Sequence, residues 1–165
     1  MKILKIIVNL LLVLILITGI GCVAMMVIGI QPYVVVSGSM EPAIPTGSLC
    51  FIDKRVDFSQ VSSGMVIAFS STDGTMITHR VVRNTNGGWA TKGDANKVED
   101  PGVVTASNYV GRNINHIPKL GFMLESVRDG NGKYVVIIAL IVILGLGVLV
   151  NSSGQEEKGP KIMKY

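Results

Sequence analysis

Residues 6–30 form an almost uninterrupted apolar run in which Asn9 is the one strongly polar side chain. A bilayer's hydrocarbon core is ~30 Å thick, and about 20 helical residues rising 1.5 Å each cross it. The run therefore predicts a membrane-spanning helix. Lys2 and Lys5 precede it, as they would in a secretory signal peptide. Such a peptide, however, has an apolar region of only ~7–15 residues and ends in a small-x-small site. This run is longer and passes into Gln31-Pro32-Tyr33 without such a site, so a retained anchor is expected.

A second apolar run, residues 134–150, carries no charge and contains Gly145 and Gly147. It predicts a second span, with a helix buried in a soluble core as the alternative. The chain then divides into a stub and anchor (1–30), a middle domain (31–133), the second span (134–150) and a polar tail (151–165). Lys2, Lys5 and the tail lysines Lys158, Lys161 and Lys164 would lie in the cytoplasm, with the middle domain outside. Lys119, Arg128 and Lys133 oppose that placement, but the first helix usually dominates orientation.

The net charge of +4 is mild and unclustered, and no basic stripe with interleaved aromatics points to nucleic acid. Cys22 lies in the first apolar run and Cys50 in the middle domain, so no mutual disulfide is expected, and no zinc spacing occurs. The middle domain must be held by its own core.

That domain reads as strands. Residues 33–36, 49–52, 65–69, 76–82 and 89–91 are short runs rich in β-branched or aromatic side chains. Turn chemistry separates them at Pro45-Thr-Gly47, Ser62-Ser-Gly64, Asp73-Gly74 and Asn86-Gly-Gly88. The predicted fold class is mainly β: a compact antiparallel domain flanked by membrane helices.

Three segments carry chemistry. Ser37-Gly-Ser-Met-Glu-Pro42 places serines just after a strand-like run that emerges from the anchor. Thr78-His-Arg-Val81 places His79 in an alternating run, and an imidazole is the usual base for a serine hydroxyl. Lys92-Gly-Asp-Ala-Asn96, followed by Glu99-Asp-Pro-Gly102, offers Asp94, Glu99 and Asp100. A serine–histidine pair needs a carboxylate for the second imidazole N–H. Each segment alone has a bland reading: a turn, a structural histidine, a solvated loop.

In order, spacing and wording the three segments resemble type I signal peptidases, in the branch found in the endoplasmic reticulum, archaea and some Gram-positive bacteria. The resemblance covers about residues 31–115. It implies Ser39 as nucleophile and His79 as base, where the common bacterial branch has lysine. Asp100 falls at the triad-acid position, with Asp94 as the alternative or supporting acid, expected to cap its own loop backbone. Pro101 departs from the family pattern there. The oxyanion hole would comprise the Ser39 N–H and the Ser37 hydroxyl. The implied activity is a membrane-bound serine endopeptidase that removes signal peptides from exported preproteins after small-x-small, needing no metal or organic cofactor. An extended substrate would pair with strand edges at 34–36 and 76–78. The implied partners are the signal peptides, the bilayer and other membrane secretion components. Two alternatives compete: a non-catalytic membrane subunit of a processing or assembly complex, and a self-cleaving repressor-type protease, which would need a catalytic lysine and a DNA-binding region.

Overall fold

The computed structural model describes residues 2–129 and 132–152. The tail expected from residue 151 therefore lies, from 153 onward, outside the described residues. The described residues form two compact units, Ala24–Ser126 and a helical unit drawn from the chain before and after it.

Helix α1 runs from Lys2 to Val27, through Leu, Ile, Val and Met with no proline to break it. Gly29, at φ +91°, closes it: the Ile28 N–H bonds to the Ala24 carbonyl and the Gly29 N–H to that of Met26. Residues Ile3–Val27 have a mean hydropathy of 2.9 and form the one helix, among the described residues, long and apolar enough to cross a membrane. The second apolar run also becomes a helix, Gly132–Ser152. Its apolar stretch by the same measure is shorter, Val136–Gly145. The predicted second span therefore gains no support from that measure.

Between these helices lie seven strands: β1 (Ile30–Val34), β2 (Leu49–Asp53), β3 (Val66–Ser70), β4 (Met76–Thr85), β5 (Gly88–Lys92), β6 (Val103–Val104) and β7 (Tyr109–Ile117). They pair antiparallel in the order β1-β2-β7-β3-β4-β5-β6. Helix α2 (Leu120–Asp129) follows β7, and the Gly132–Ser152 helix is α3. The described residues are thus mixed in helix and strand, with all their strands in the Ala24–Ser126 unit.

Four of the five expected strands form with boundaries moved by a few residues. The first shifts toward the anchor and takes in Pro32. Proline lacks an N–H for the ladder, and β1 sits at the sheet edge, where that loss is tolerated. Strands β6 and β7 and helix α2 were not foreseen. Asp73-Gly74 does turn β3 into β4, with Gly74 at φ +84°.

Strand β3 separates two cores, because successive side chains face opposite sides of a sheet. Ala68, on one face, joins Met40, Ile44, Cys50 and Ile52. Ile67 and Phe69, on the other, join Val61, Val81 and Val104. Three strands lie between β1 and β4, yet residues of both line one cleft. The sheet therefore curls until its β1 edge faces β4. Cys50 is buried, and that burial pushes its thiol up to about 11.

Candidate active site

The cleft has a volume of about 330 Å³ and takes Ser37 and Ser39 on one wall and His79 on the other. The serine wall is a tight turn. The Glu41 N–H bonds to the Gly38 carbonyl (3.0 Å) and the Ile44 N–H to that of Met40 (2.8 Å), and the Glu41–Pro42 peptide is cis. Glu41 Oε1 accepts from the Thr46 hydroxyl at 2.8 Å, and the Thr46 bonds hold its carboxyl below the usual range. Met40 anchors the turn: its side chain is 1% exposed, in the core behind Ser39. Burying Met40 leaves the neighbouring Ser39 at the cleft surface.

A second restraint holds the same turn. The Ser39 carbonyl accepts the Ala95 N–H at 2.9 Å, which ties this turn to the loop after β5. Gly93 makes that approach possible, because a Cβ there would lie 2.5 Å from the Ser39 carbonyl oxygen. Gly93→Ala is expected to displace Ser39 and cut activity by at least tenfold while the two cores survive. Steady-state cleavage beside a melting curve checks this.

His79 sits on β4 with its side chain 9% exposed, and the edge of its ring meets Phe69 at 6.3 Å between centroids. Its Nδ1 lies 2.7 Å from Asp100 Oδ2. An ionised carboxylate can only accept, so Nδ1 is the donor, and in the neutral imidazole that leaves the lone pair on Nε2. The same Asp100 oxygen accepts the Thr91 hydroxyl at 2.6 Å, and the Asp100 N–H bonds to the Thr91 carbonyl at 2.8 Å.

Asp94 goes elsewhere. His79 and Arg80 are consecutive on β4 and face opposite sides, and Arg80 binds Asp94 through two parallel bonds of 2.8 and 2.7 Å. Asp94 was expected to cap its own loop backbone; it pairs with Arg80 instead, because a planar guanidinium matches both carboxylate oxygens. That pairing holds the Asp94 carboxyl below its usual range. Arg80 Nη1 also donates to the Gly64 carbonyl, and the third acid, Glu99, pairs with Arg83.

The structure thus brings His79 and Asp100 into contact, sets Ser37 Oγ 3.3 Å from Ser39 Oγ, and keeps Asp94 on Arg80. Among the described residues, the Ser39 N–H meets no acceptor and Ser39 Oγ makes no bond to His79. A nucleophile–base hydrogen bond often tightens only when substrate binds. Thr91, Gly93 and the Arg80–Asp94 pair were not singled out from the sequence. The arginine in Thr78-His-Arg-Val81 was the one available signal, since a half-buried guanidinium calls for a carboxylate. Among the described residues, no three His, Cys, Asp or Glu side chains converge to hold a metal.

A serine and an Asp-oriented imidazole sharing a cleft can carry out acyl transfer. The family model described as signal peptidase, peptidase S26, matches residues 4–96, over half of the chain. The putative signal peptidase complex catalytic subunit SEC11B of Homo sapiens is 34% identical over 136 residues, covering 73% of this chain and 78% of that protein. The signal peptidase complex catalytic subunit SEC11 of Verticillium alfalfae is 31% identical over 126 residues, 67% of this chain and 73% of that one. Signal peptidase I W of Bacillus subtilis is 40% identical over a shorter stretch of 78 residues, 45% of this chain and 41% of that one. The chain belongs to the signal peptidase family, peptidase S26, whose members remove signal peptides.

Proposed function

We propose that this signal peptidase cleaves preproteins through a Ser39 acyl-enzyme, with His79 as general base and Asp100 orienting it. The observation that carries the reading is the 2.7 Å contact between His79 Nδ1 and Asp100 Oδ2, in a cleft that Ser39 also lines. His79 Nε2 takes the Ser39 proton as Ser39 Oγ attacks the scissile carbonyl. The resulting imidazolium then protonates the departing amine, and water, activated by the same Nε2, releases the acyl group. The Ser39 N–H and the Ser37 hydroxyl are the donors for the tetrahedral oxygen. Asp94 supports the site by fixing the loop that bonds to the Ser39 carbonyl.

The substrate lies extended between two strand edges. Among the described residues β1 has β2 as its one partner. Residues 76–78 of β4 pair with β3, whereas β5 joins β4 only from Arg80 onward. Free backbone at 76–78 and the β1 edge flank the cleft and suit a peptide added as a strand, cut after small-x-small. The anchor raises the effective concentration, since enzyme and substrate share one membrane. The signal peptidase complex subunits among its relatives make partner subunits a further expectation for this chain.

The pH dependence tests the base. The rate is expected to fall on acidification, because a protonated imidazole cannot take the Ser39 proton. His79→Lys is expected to be inactive, because an ammonium acts as a base near neutrality only in a desolvated pocket, and the Asp100 carboxylate would hold it charged. A flat profile, or an active His79→Lys enzyme, contradicts the reading.

The domain layout belongs to the same proposal. Residues 31–133 lie outside the cytoplasm and both termini inside, with α3 as a second span. In support, α3 has 21 residues, about 32 Å at 1.5 Å each. Protease added to intact cells is expected to remove the middle domain and spare a C-terminal tag. Digestion of the tag would show that α3 does not span, leaving the catalytic assignment untouched.

A further inference from the structure

Thr91 lies on β5 directly opposite Val81 of β4, two residues along from His79. Its relative exposure is 0%, so its hydroxyl cannot turn to water for a partner. A buried hydroxyl left without an acceptor is costly, and this one has found Asp100 Oδ2 at 2.6 Å. That oxygen is the one that also faces His79 Nδ1, at 2.7 Å. The Thr91 carbonyl takes the Asp100 N–H at 2.8 Å, so one residue grips Asp100 by both backbone and side chain. Packing alone would be served as well by valine, which has the same shape without the hydroxyl.

We propose that Thr91 is a positioning residue that sets both the orientation and the effective charge of Asp100 toward His79. The proposal rests on the reading of His79 as base and Asp100 as its partner. Two donors on one carboxylate oxygen share its negative charge. The Thr91 bond draws part of that charge away from the imidazole and prevents the carboxylate from rotating about its χ2. Loss of that bond would leave the full carboxylate charge facing the imidazole and strengthen its hold on a proton. The other carboxylates near the pair are each held by an arginine. Asp94 is held by Arg80 yet still acts on His79 through space, Glu99 is held by Arg83, and Lys92 acts on Asp94. Phe69, packed on the ring from β3, carries no charge. Thr91 is the neutral donor that bonds directly to the Asp100 oxygen facing His79, where Asp94 acts only at a distance.

The test uses the full-length protein in detergent or lipid with a preprotein substrate. It compares kcat/KM against pH for wild type, Thr91→Val, Thr91→Ser and Asp100→Asn. With its competing donor gone, Asp100 stabilises the imidazolium more. The acid limb of Thr91→Val should therefore move to higher pH, by on the order of half a unit to one unit. Its plateau should fall about tenfold, the scale of one hydrogen bond to a charged group. Thr91→Ser keeps the hydroxyl and should hold the limb in place. If Thr91→Val fails to fold, Thr91→Cys carries the same test, since its thiol is a weak donor of similar size. An acid limb that stays put, or moves to lower pH, in Thr91→Val or Thr91→Cys overturns the proposal and leaves Thr91 a packing residue. An active Asp100→Asn enzyme fails the underlying reading instead, so the two failures are told apart.

Discussion

Replacing Ser39 with alanine should lower single-turnover cleavage by on the order of 10⁶, the scale seen when a serine protease loses its nucleophile. The melting temperature should stay within a degree or two of wild type. Ser39 is partly exposed at the cleft, and the restraints that shape its turn do not use its hydroxyl. The Met40 side chain fills the core, and the Ser39 carbonyl holds the Ala95 N–H. Substantial cleavage by purified Ser39→Ala, free of wild-type enzyme, would remove Ser39 from the mechanism. Ser37→Ala should be milder, at about 10²–10³, since it takes one donor from the tetrahedral oxygen.

Asp100→Asn is the second large effect. An asparagine can turn its amide N–H toward His79 and favour the imidazole tautomer with the proton on Nε2, which cannot accept from Ser39. In another serine protease the same exchange costs about 10⁴ in rate. Asp94→Asn should act differently, because Asp94 holds Arg80 and the loop bonded to Ser39, not the imidazole. Its activity should fall together with its thermal stability. The pH sign follows from the lowered carboxyl of Asp94. The stability it contributes is fully present above the unfolded carboxyl value of ~3.9 and is lost as pH falls through the lower folded value. The gap in melting temperature between wild type and Asp94→Asn should therefore persist from neutrality to about pH 5 and close in stronger acid. A folded, inactive Asp94→Asn beside a near-normal Asp100→Asn would reverse the two assignments.

The three segments stood out in the sequence because each is contiguous and its residue types suit the proposed reaction. The choice between Asp94 and Asp100 was not, because both lie in one loop and the outcome depends on which face of β4 each meets. His79 and Arg80 alternate across that strand, and each draws one aspartate. Thr91 was invisible for a related reason. A threonine in a strand needs no function, and its role emerges only once β5 lies beside β4. Strand β7 escaped notice because Tyr109–Ile117 breaks its apolar pattern with Gly111, Arg112, Asn113 and Asn115. It is held as a strand by β2 on one side and β3 on the other. Gly111 suits that crowded place: a Cβ there would lie 2.6 Å from the Asp53 carbonyl oxygen. The two apolar runs were read as helices correctly, but the runs alone did not separate the long stretch of α1 from the shorter one of α3.

The most direct test of the central claim is the chemistry of the product. Purified full-length protein in lipid is incubated with an exported preprotein, and the new N-terminus is sequenced for wild type, Ser39→Ala, His79→Ala and Asp100→Asn. The account predicts a single new N-terminus immediately after a small-x-small sequence with wild type, and none within the same time with the three variants. Cleavage at that position by folded Ser39→Ala, or wild-type cleavage at scattered sites unrelated to small residues, would contradict it.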